Sequence, residues 1–203
     1  YAVFMLIGAL VIRSAPVMPK GEDVRELSVS EVCRTRQFWL LWIVLCMSIS
    51  ATIGVIGRAS DIVQDLFGVS AAIGGGFAGL LSLFNLAGRF GWSSLSDKLG
   101  RKVIFSLYFA VASVLYCLLP LLQQNGQTTL FVVCVALLVS IYGGGFATCP
   151  AYMRDIFGDA RIGAVYGRLI TAWSVAALVG PSVIGALYNS AIAVGAQRAE
   201  AYN

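Results

Sequence analysis

The chain has 203 residues, of which 59% are hydrophobic and 12% charged, and its formal net charge is +4. Its mean hydropathy of +0.84 excludes an ordinary water-soluble domain and indicates an integral membrane protein. The cations are spread over several loops with acidic residues among them, which argues against nucleic acid as a partner. The chain has no histidine. Because histidine is the usual general base and zinc ligand, we expect neither an enzyme nor a metal site.

The N-terminal part divides into an apolar and a polar segment. Residues 1–12 are apolar but too short to cross a bilayer alone, so we expect the end of a truncated transmembrane helix. Residues 13–37 carry prolines and charges of both signs and are predicted to form a cytoplasmic interdomain linker. Within the linker, Ser28 and Glu31 have the spacing of a capping box at a helix start. A plain solvated loop is the alternative there.

Five longer apolar segments follow, each with the roughly 20 residues that a helix needs to cross a bilayer. They are placed at 38–57, 70–92, 103–122, 129–150 and 164–188. Because they are apolar on every face, helices are favoured over the alternating strands of a barrel. Residues 189–203 are predicted to be a non-cytoplasmic stub before a missing last helix. The expected fold class is therefore an all-α polytopic membrane protein, present as a fragment.

The distribution of lysine and arginine predicts the orientation of these segments. Positive charge near helix ends is retained in the cytoplasm, and here it is concentrated in every second connection. The predicted cytoplasmic segments are 13–37, 93–102 and 151–163. Between the first two spans stands a single cation, Arg58, for which we expect a surface ion pair with Asp61. We therefore expect a multi-pass protein of the plasma or inner membrane, with the lipid bilayer as its surroundings.

Glycine is concentrated in three of the predicted spans. The second span contains six glycines, from Gly74 to Gly91, and the fourth contains three in a row at 143–145. Such residues allow close helix packing, and a direct role towards a substrate is the alternative. In the fifth span, Gly180 and Pro181 predict an interrupted helix of the kind found near transporter gates.

The connection at 95–102 has the sequence Leu-Ser-Asp-Lys-Leu-Gly-Arg-Lys, which resembles the loop signature of the major facilitator superfamily. Ser93 stands where that signature usually has glycine. The resemblance implies a partial major facilitator fold that runs from late helix 6 to helix 11, with the N-terminal half of the same chain as its partner. It also implies that four residues act in gating: Asp97, Lys98, Arg101 and Lys102. A solvated loop that only sets topology is the alternative.

A narrower resemblance covers the last third of the chain. Residues 142–152, 155–158 and 163–173 are similar to the oxalate/formate antiporter family and its monocarboxylate-transporter relatives. Their occurrence together is the signal, since each segment alone is weak. This resemblance implies a small carboxylate anion as the substrate.

Arg89 is the residue that most directly suggests an anion. It precedes Asp97 by eight residues, so on a continuous helix it lies roughly 12 Å into the membrane. A cation at that depth is costly and usually functional, although its side chain could also extend back to the surface. The monocarboxylate carriers have an arginine at this spacing and use it on the carboxylate. They place an aspartate one turn earlier, where this chain has Asn85.

Three aromatic residues complete the candidate substrate site. Tyr142 and Phe146 are four residues apart and share a helix face, and the resemblance implies that they line the cavity. Packing against lipid or core is the alternative. In oxalate-exchanging members a lysine occupies the segment matching 171–173, where this chain has Trp173. The loss of that cation favours a monocarboxylate such as formate, lactate or pyruvate over oxalate.

The sequence thus predicts a secondary active transporter of small carboxylates that works by alternating access, with a proton or a counter-transported anion as the coupled species. It implies no cofactor and no covalent chemistry. Two alternatives stay open at this point. One is a carrier of the same fold for drugs or sugars, and the other is a transporter-like membrane sensor that signals through residues 13–37.

Overall fold

The computed structural model describes residues 28–158 and 161–193. Over these residues the chain is helical, with eight helices and no strand. In chain order they are α1 (Val29–Arg34), α2 (Arg36–Gly57), α3 (Ala59–Phe67), α4 (Ala71–Leu99), α5 (Arg101–Gln124), α6 (Thr128–Phe157), α7 (Ile162–Leu169) and α8 (Thr171–Ala193). The predicted helix end at 1–12, most of the predicted linker and residues 194–203 lie outside the described residues.

Five helical segments are long and apolar enough to cross a membrane, which confirms the five predicted spans and the all-α fold class. They are Arg36–Gly57, Ala71–Leu99, Arg101–Gln124, Thr128–Phe157 and Ile162–Ser190. The second and fourth are longer than predicted because α4 and α6 continue through the charged residues at their ends. The core lies between α2, α5, α6 and the α7–α8 pair.

The capping box predicted at Ser28 is present. The Ser28 backbone N–H donates to Glu31 Oε2 at 2.7 Å, and the Glu31 backbone N–H donates to Ser28 Oγ at 3.3 Å. These two bonds satisfy groups that the first turn of a helix leaves without partners. The segment before the first span is therefore a short helix, and the plain loop is excluded from Ser28 onward.

Glycine sets how closely α4 and α6 pack. A Cβ on Gly88 would overlap the backbone of Ser140, and a Cβ on Gly143 would overlap the backbone of Asn85. A Cβ on Gly144 would overlap the side chain of Trp92. At these positions the glycines allow two helix backbones to pack closely. The contacts therefore favour a role in helix packing over a direct role towards a substrate.

The predicted interruption at Gly180 and Pro181 is wrong. Helix α8 runs unbroken through Pro181, which lies on an exposed face where the loss of one backbone hydrogen bond is tolerated. The irregularity in the fifth span is instead at Ile170, a single turn residue between α7 and α8 whose backbone stays in the helical region with φ −65° and ψ −13°. There the Thr171 hydroxyl donates to the Arg168 carbonyl at 2.7 Å and satisfies one of the carbonyls at the end of α7.

A second break separates α2 from α3 at Arg58, whose backbone leaves the helical region with φ −117° and ψ 13°. Its guanidinium lies 4.7 Å from the centroid of the Tyr188 ring on α8. Over the described ranges, the ion pairs do not include Arg58 with Asp61, so that expectation is wrong. The break directs the Arg58 side chain towards α8. There the guanidinium makes a cation–π contact with Tyr188 instead of an ion pair with Asp61.

Candidate functional site

Arg89 lies in the interior of α4, ten residues before its last residue, Leu99. At 1.5 Å per residue this is about 15 Å along the helix from Leu99, so Arg89 lies within the second candidate span, and its side chain is exposed on the surface of the described chain. The Arg89 guanidinium carbon lies 5.0 Å from the centroid of the Phe146 ring on α6. This intramembrane cation therefore contacts an aromatic ring of the neighbouring helix.

Phe146 belongs to a cluster of three rings that connects α6 to α8. We call Tyr142, Phe146 and Trp173 the aromatic cluster. The rings of Phe146 and Trp173 meet edge to face, with centroids 5.0 Å apart and an interplanar angle of 85°. The Trp173 indole Nε1–H donates to the Tyr142 hydroxyl at 3.1 Å. Four of the five predicted substrate-binding residues thus form one connected group, with Arg89 at its edge.

A cavity of about 40 Å³ borders the aromatic cluster between α2, α5, α6 and α8. Its polar lining comes from Ser48, Thr52, Tyr108, Tyr142 and Trp173. By volume it has room for about three water molecules. Arg89 is not among the residues that line this cavity.

Asn85, the fifth predicted substrate-binding residue, lies elsewhere. It borders a separate cavity of about 170 Å³ together with Ile56, Leu81, Ser82 and Val139. Its backbone is also the surface that packs against Gly143. The structure therefore does not bring Asn85 to the aromatic cluster, although it precedes Arg89 by only one turn.

Two of the four predicted gating residues, Asp97 and Arg101, form an ion pair where the charged ends of three helices meet. Arg101, at the start of α5, donates from Nη2 to Asp97 Oδ1 at 3.3 Å and from Nη1 to Asp155 Oδ2 at 3.1 Å. The Asp97 side chain is 69% exposed and the Asp155 side chain 30%, so the second pair is the better shielded from solvent. Lys98 is exposed at the same end, and Lys102 is half-buried.

Sequence reasoning did not identify Asp155 as part of this group. The sequence offered one signal, which is that Asp155 is an acidic residue close to the end of an apolar span, five residues after Pro150. That position did not indicate which basic residue it would meet. Asp155 ties the end of α6 to the loop signature through Arg101.

The hydrogen bond between Trp173 and Tyr142 can be tested by a double-mutant cycle. Trp173→Phe and Tyr142→Phe each remove it, and we expect each to lower the free energy of unfolding, with a coupling of about 1 kcal/mol between them. Equilibrium unfolding of the protein in detergent micelles measures all four species. Strictly additive effects would show that the bond contributes nothing to stability.

Comparison with known proteins gives a family match and several curated relatives. The sequence model of the Major Facilitator Superfamily matches residues 1–181. The oxalate:formate antiporter of Oxalobacter formigenes is 29% identical over 160 residues, which are 77% of this chain and 37% of that protein. The uncharacterised MFS-type transporter YhjX of Escherichia coli (strain K12) is 24% identical over 182 residues, 87% of this chain and 45% of that protein.

A shorter match is to the apicoplast pyruvate carrier 1 of Toxoplasma gondii, 33% identical over 90 residues, which are 42% of this chain and 16% of that protein. No solved structure matches the chain. The chain spans less than half the length of these curated relatives.

Proposed function

The chain belongs to the Major Facilitator Superfamily, and we propose that it carries part of a secondary transporter that moves small carboxylates by alternating access. The observation that carries the proposal is the position of Arg89, a cation within a candidate span in contact with the aromatic cluster. A charge within a span is retained when it faces a polar ligand or cavity. Residues 1–12 and 13–37 then belong to the end of a preceding helix and to the linker that joins the two halves.

A carboxylate is the ligand that suits this arginine best. The guanidinium is planar and can donate two parallel hydrogen bonds to the two carboxylate oxygens. Its present contact, with the face of Phe146, is weaker than such a charged pair. The names of two relatives, an oxalate:formate antiporter and a pyruvate carrier, support a short carboxylate as the substrate.

One carboxylate group is favoured over two. The described part of helix α8 contains neither lysine nor arginine, so this helix itself offers no cation to a second carboxylate. A buried charge without a partner is strongly unfavourable. Formate, lactate or pyruvate therefore suits a site with one cation better than oxalate does.

The proposal is tested by uptake of radiolabelled pyruvate, formate and oxalate into proteoliposomes that contain the complete protein. We expect saturable uptake of at least one monocarboxylate and weaker competition by oxalate. Oxalate uptake as efficient as that of the monocarboxylates would contradict the proposal that the substrate carries a single carboxylate group. If none of the three acids is transported or binds, the carboxylate assignment itself is wrong.

We further propose that 93–102 and 151–163 face the cytoplasm and that Arg101 forms part of an inner gate. Its two ion pairs tie the ends of α4 and α6 to the start of α5. Ion pairs of this kind can hold the helix ends together in one conformation of a transporter and break in the other conformation. Asp97, Lys98 and Lys102 flank Arg101 and complete the charged surface of this gate.

Removal of the gate charge is expected to slow transport without weakening substrate binding. Arg101→Gln breaks both ion pairs, each of which is partly exposed and worth about 1 kcal/mol or less. A change of about 1 kcal/mol in the balance of two conformations shifts their ratio roughly fivefold. We therefore expect the maximal uptake rate to fall by a similar factor with KM nearly unchanged.

The matched control is Arg161→Gln, which removes the same charge from an exposed position of the predicted cytoplasmic connection 151–163. Its uptake rate should stay close to that of the wild type. Equal loss of rate in the two variants would mean that the cytoplasmic surface acts through its net charge, and the specific gate would be refuted.

A further inference from the structure

Tyr166 lies in the middle of α7, and its hydroxyl is one of five buried polar side-chain atoms that have no hydrogen-bond partner among the described residues. Its ring is half-buried against the core, while its hydroxyl oxygen is fully buried. Among the described residues that hydroxyl has no hydrogen-bond partner. Buried hydroxyls are nearly always hydrogen-bonded, because an unsatisfied one loses its bonds to water and gains nothing in return. A group of this kind indicates a partner that arrives from outside the chain.

The surroundings of the hydroxyl indicate the charge of that partner. The Tyr166 hydroxyl lies within electrostatic range of the Arg89 guanidinium and of the Cys149 thiol. Cys149 follows Phe146 by three residues on α6, so the two side chains lie on one face about one turn apart. Phe146 is also the residue that contacts Arg89. Tyr166 therefore approaches from α7 the same region that Arg89 approaches from α4.

The chemistry of the two groups is complementary towards one ligand. A tyrosine hydroxyl can donate one hydrogen bond and accept others, and a carboxylate only accepts. A hydroxyl bond to a charged oxygen is shorter and stronger than one between neutral groups. An anion held by Arg89 would thus satisfy the hydroxyl that the chain leaves without a partner.

We propose that Tyr166 is a substrate-binding residue that donates a hydrogen bond to the carboxylate bound by Arg89. This inference rests on the proposed function and names a further residue of the same site. The carboxylate then joins α4 to α7 across the face of α6. The ligand thereby contacts α7, the part of the fifth span that precedes Ile170.

The test compares pyruvate binding to the complete protein for the wild type, Tyr166→Phe and Arg89→Ala. Tyr166→Phe retains the ring and removes only the hydroxyl. Loss of one charge-assisted hydrogen bond should raise the Kd for pyruvate about tenfold. Thermal unfolding of each variant without ligand is measured in parallel. It should change little, since in the described residues the hydroxyl has no bond to lose.

Tyr152→Phe is the matched control. Tyr152 is another buried tyrosine of the same bundle, with its ring stacked on Phe105 at a centroid distance of 4.6 Å. Its variant should bind pyruvate as the wild type does. If Tyr166→Phe does not give folded protein, Tyr166→Met replaces it, because methionine fills irregular space of similar size. The same rise in Kd is expected.

The outcomes separate this inference from the function on which it rests. If Arg89→Ala abolishes pyruvate binding while Tyr166→Phe binds like the wild type, the role of Tyr166 is refuted and the carboxylate site stands. If neither variant changes the Kd, the proposed function also fails. An equal rise in Kd for Tyr166→Phe and Tyr152→Phe would show a general effect of removing buried hydroxyls and would overturn the inference.

Discussion

Replacement of Arg89 by alanine is expected to abolish carboxylate uptake by the complete protein. The variant loses a charge-assisted, two-point contact worth about 3 kcal/mol or more, which corresponds to a loss of affinity of at least a hundredfold. The contact with Phe146 is lost as well, but Arg89 is exposed and Phe146 keeps its contact with Trp173, so we expect the variant to fold. Initial uptake rates over a range of pyruvate concentrations measure the effect.

Two further variants make this result specific. Arg89→Lys retains the charge but not the planar pair of donors, so its affinity should fall between those of the wild type and the alanine variant. Arg168→Ala removes an exposed arginine of α7 that donates to the carbonyl of Ala164 in its own helix at 3.1 Å. We expect uptake by Arg168→Ala to be unchanged. If it fell as far as that of Arg89→Ala, the effect would reflect a general need for intramembrane arginines.

Replacement of Gly88 by valine is expected to disrupt the packing of α4 on α6. Even a single Cβ at this position would overlap the backbone of Ser140, and a backbone, unlike a side-chain end, cannot move aside without separating the helices. Overpacking of this kind costs about 3 kcal/mol or more. We expect a lower yield of folded monomer and a lower midpoint of unfolding in detergent.

Gly91→Val is the control, since it makes the same change one turn further along the same helix. Within the described residues, a Cβ on Gly91 would meet nothing within 4 Å. Both variants carry the same intrinsic cost of a β-branched residue in a helix, so their difference isolates the contact with Ser140. Similar unfolding midpoints for the two variants would contradict the close approach of α4 and α6.

The helices could be predicted from the sequence because hydropathy and length are properties of each segment alone. The five spans, the capping box at Ser28 and the family followed from local patterns of this kind. The ends of α4 and α6 were placed too early, because charged residues can continue a helix beyond the hydrocarbon core. The sequence also predicts a break at Pro181, because it does not show that this proline lies on an exposed face of α8, where a proline is tolerated.

The candidate site depends on how the helices are rotated against one another, which no single segment determines. The sequence placed Arg89 and the aromatic residues at suitable depths, and the structure brings them into contact. It could not show that Asn85 faces a different cavity or that Asp155 meets Arg101. It also could not distinguish Tyr166 from other aromatic residues in apolar spans. The functional role of each of these residues stays a prediction.

The central claim is that Arg89 recognises the negative charge of a carboxylate. Equilibrium binding of lactate and of its uncharged amide, lactamide, to the complete protein tests it most directly, because the two ligands differ only in the group that the arginine would contact. We predict that the wild type binds lactate far more tightly than lactamide and that Arg89→Ala loses this preference. Equal affinity of the wild type for the two ligands, or a preference that survives in Arg89→Ala, would contradict the claim.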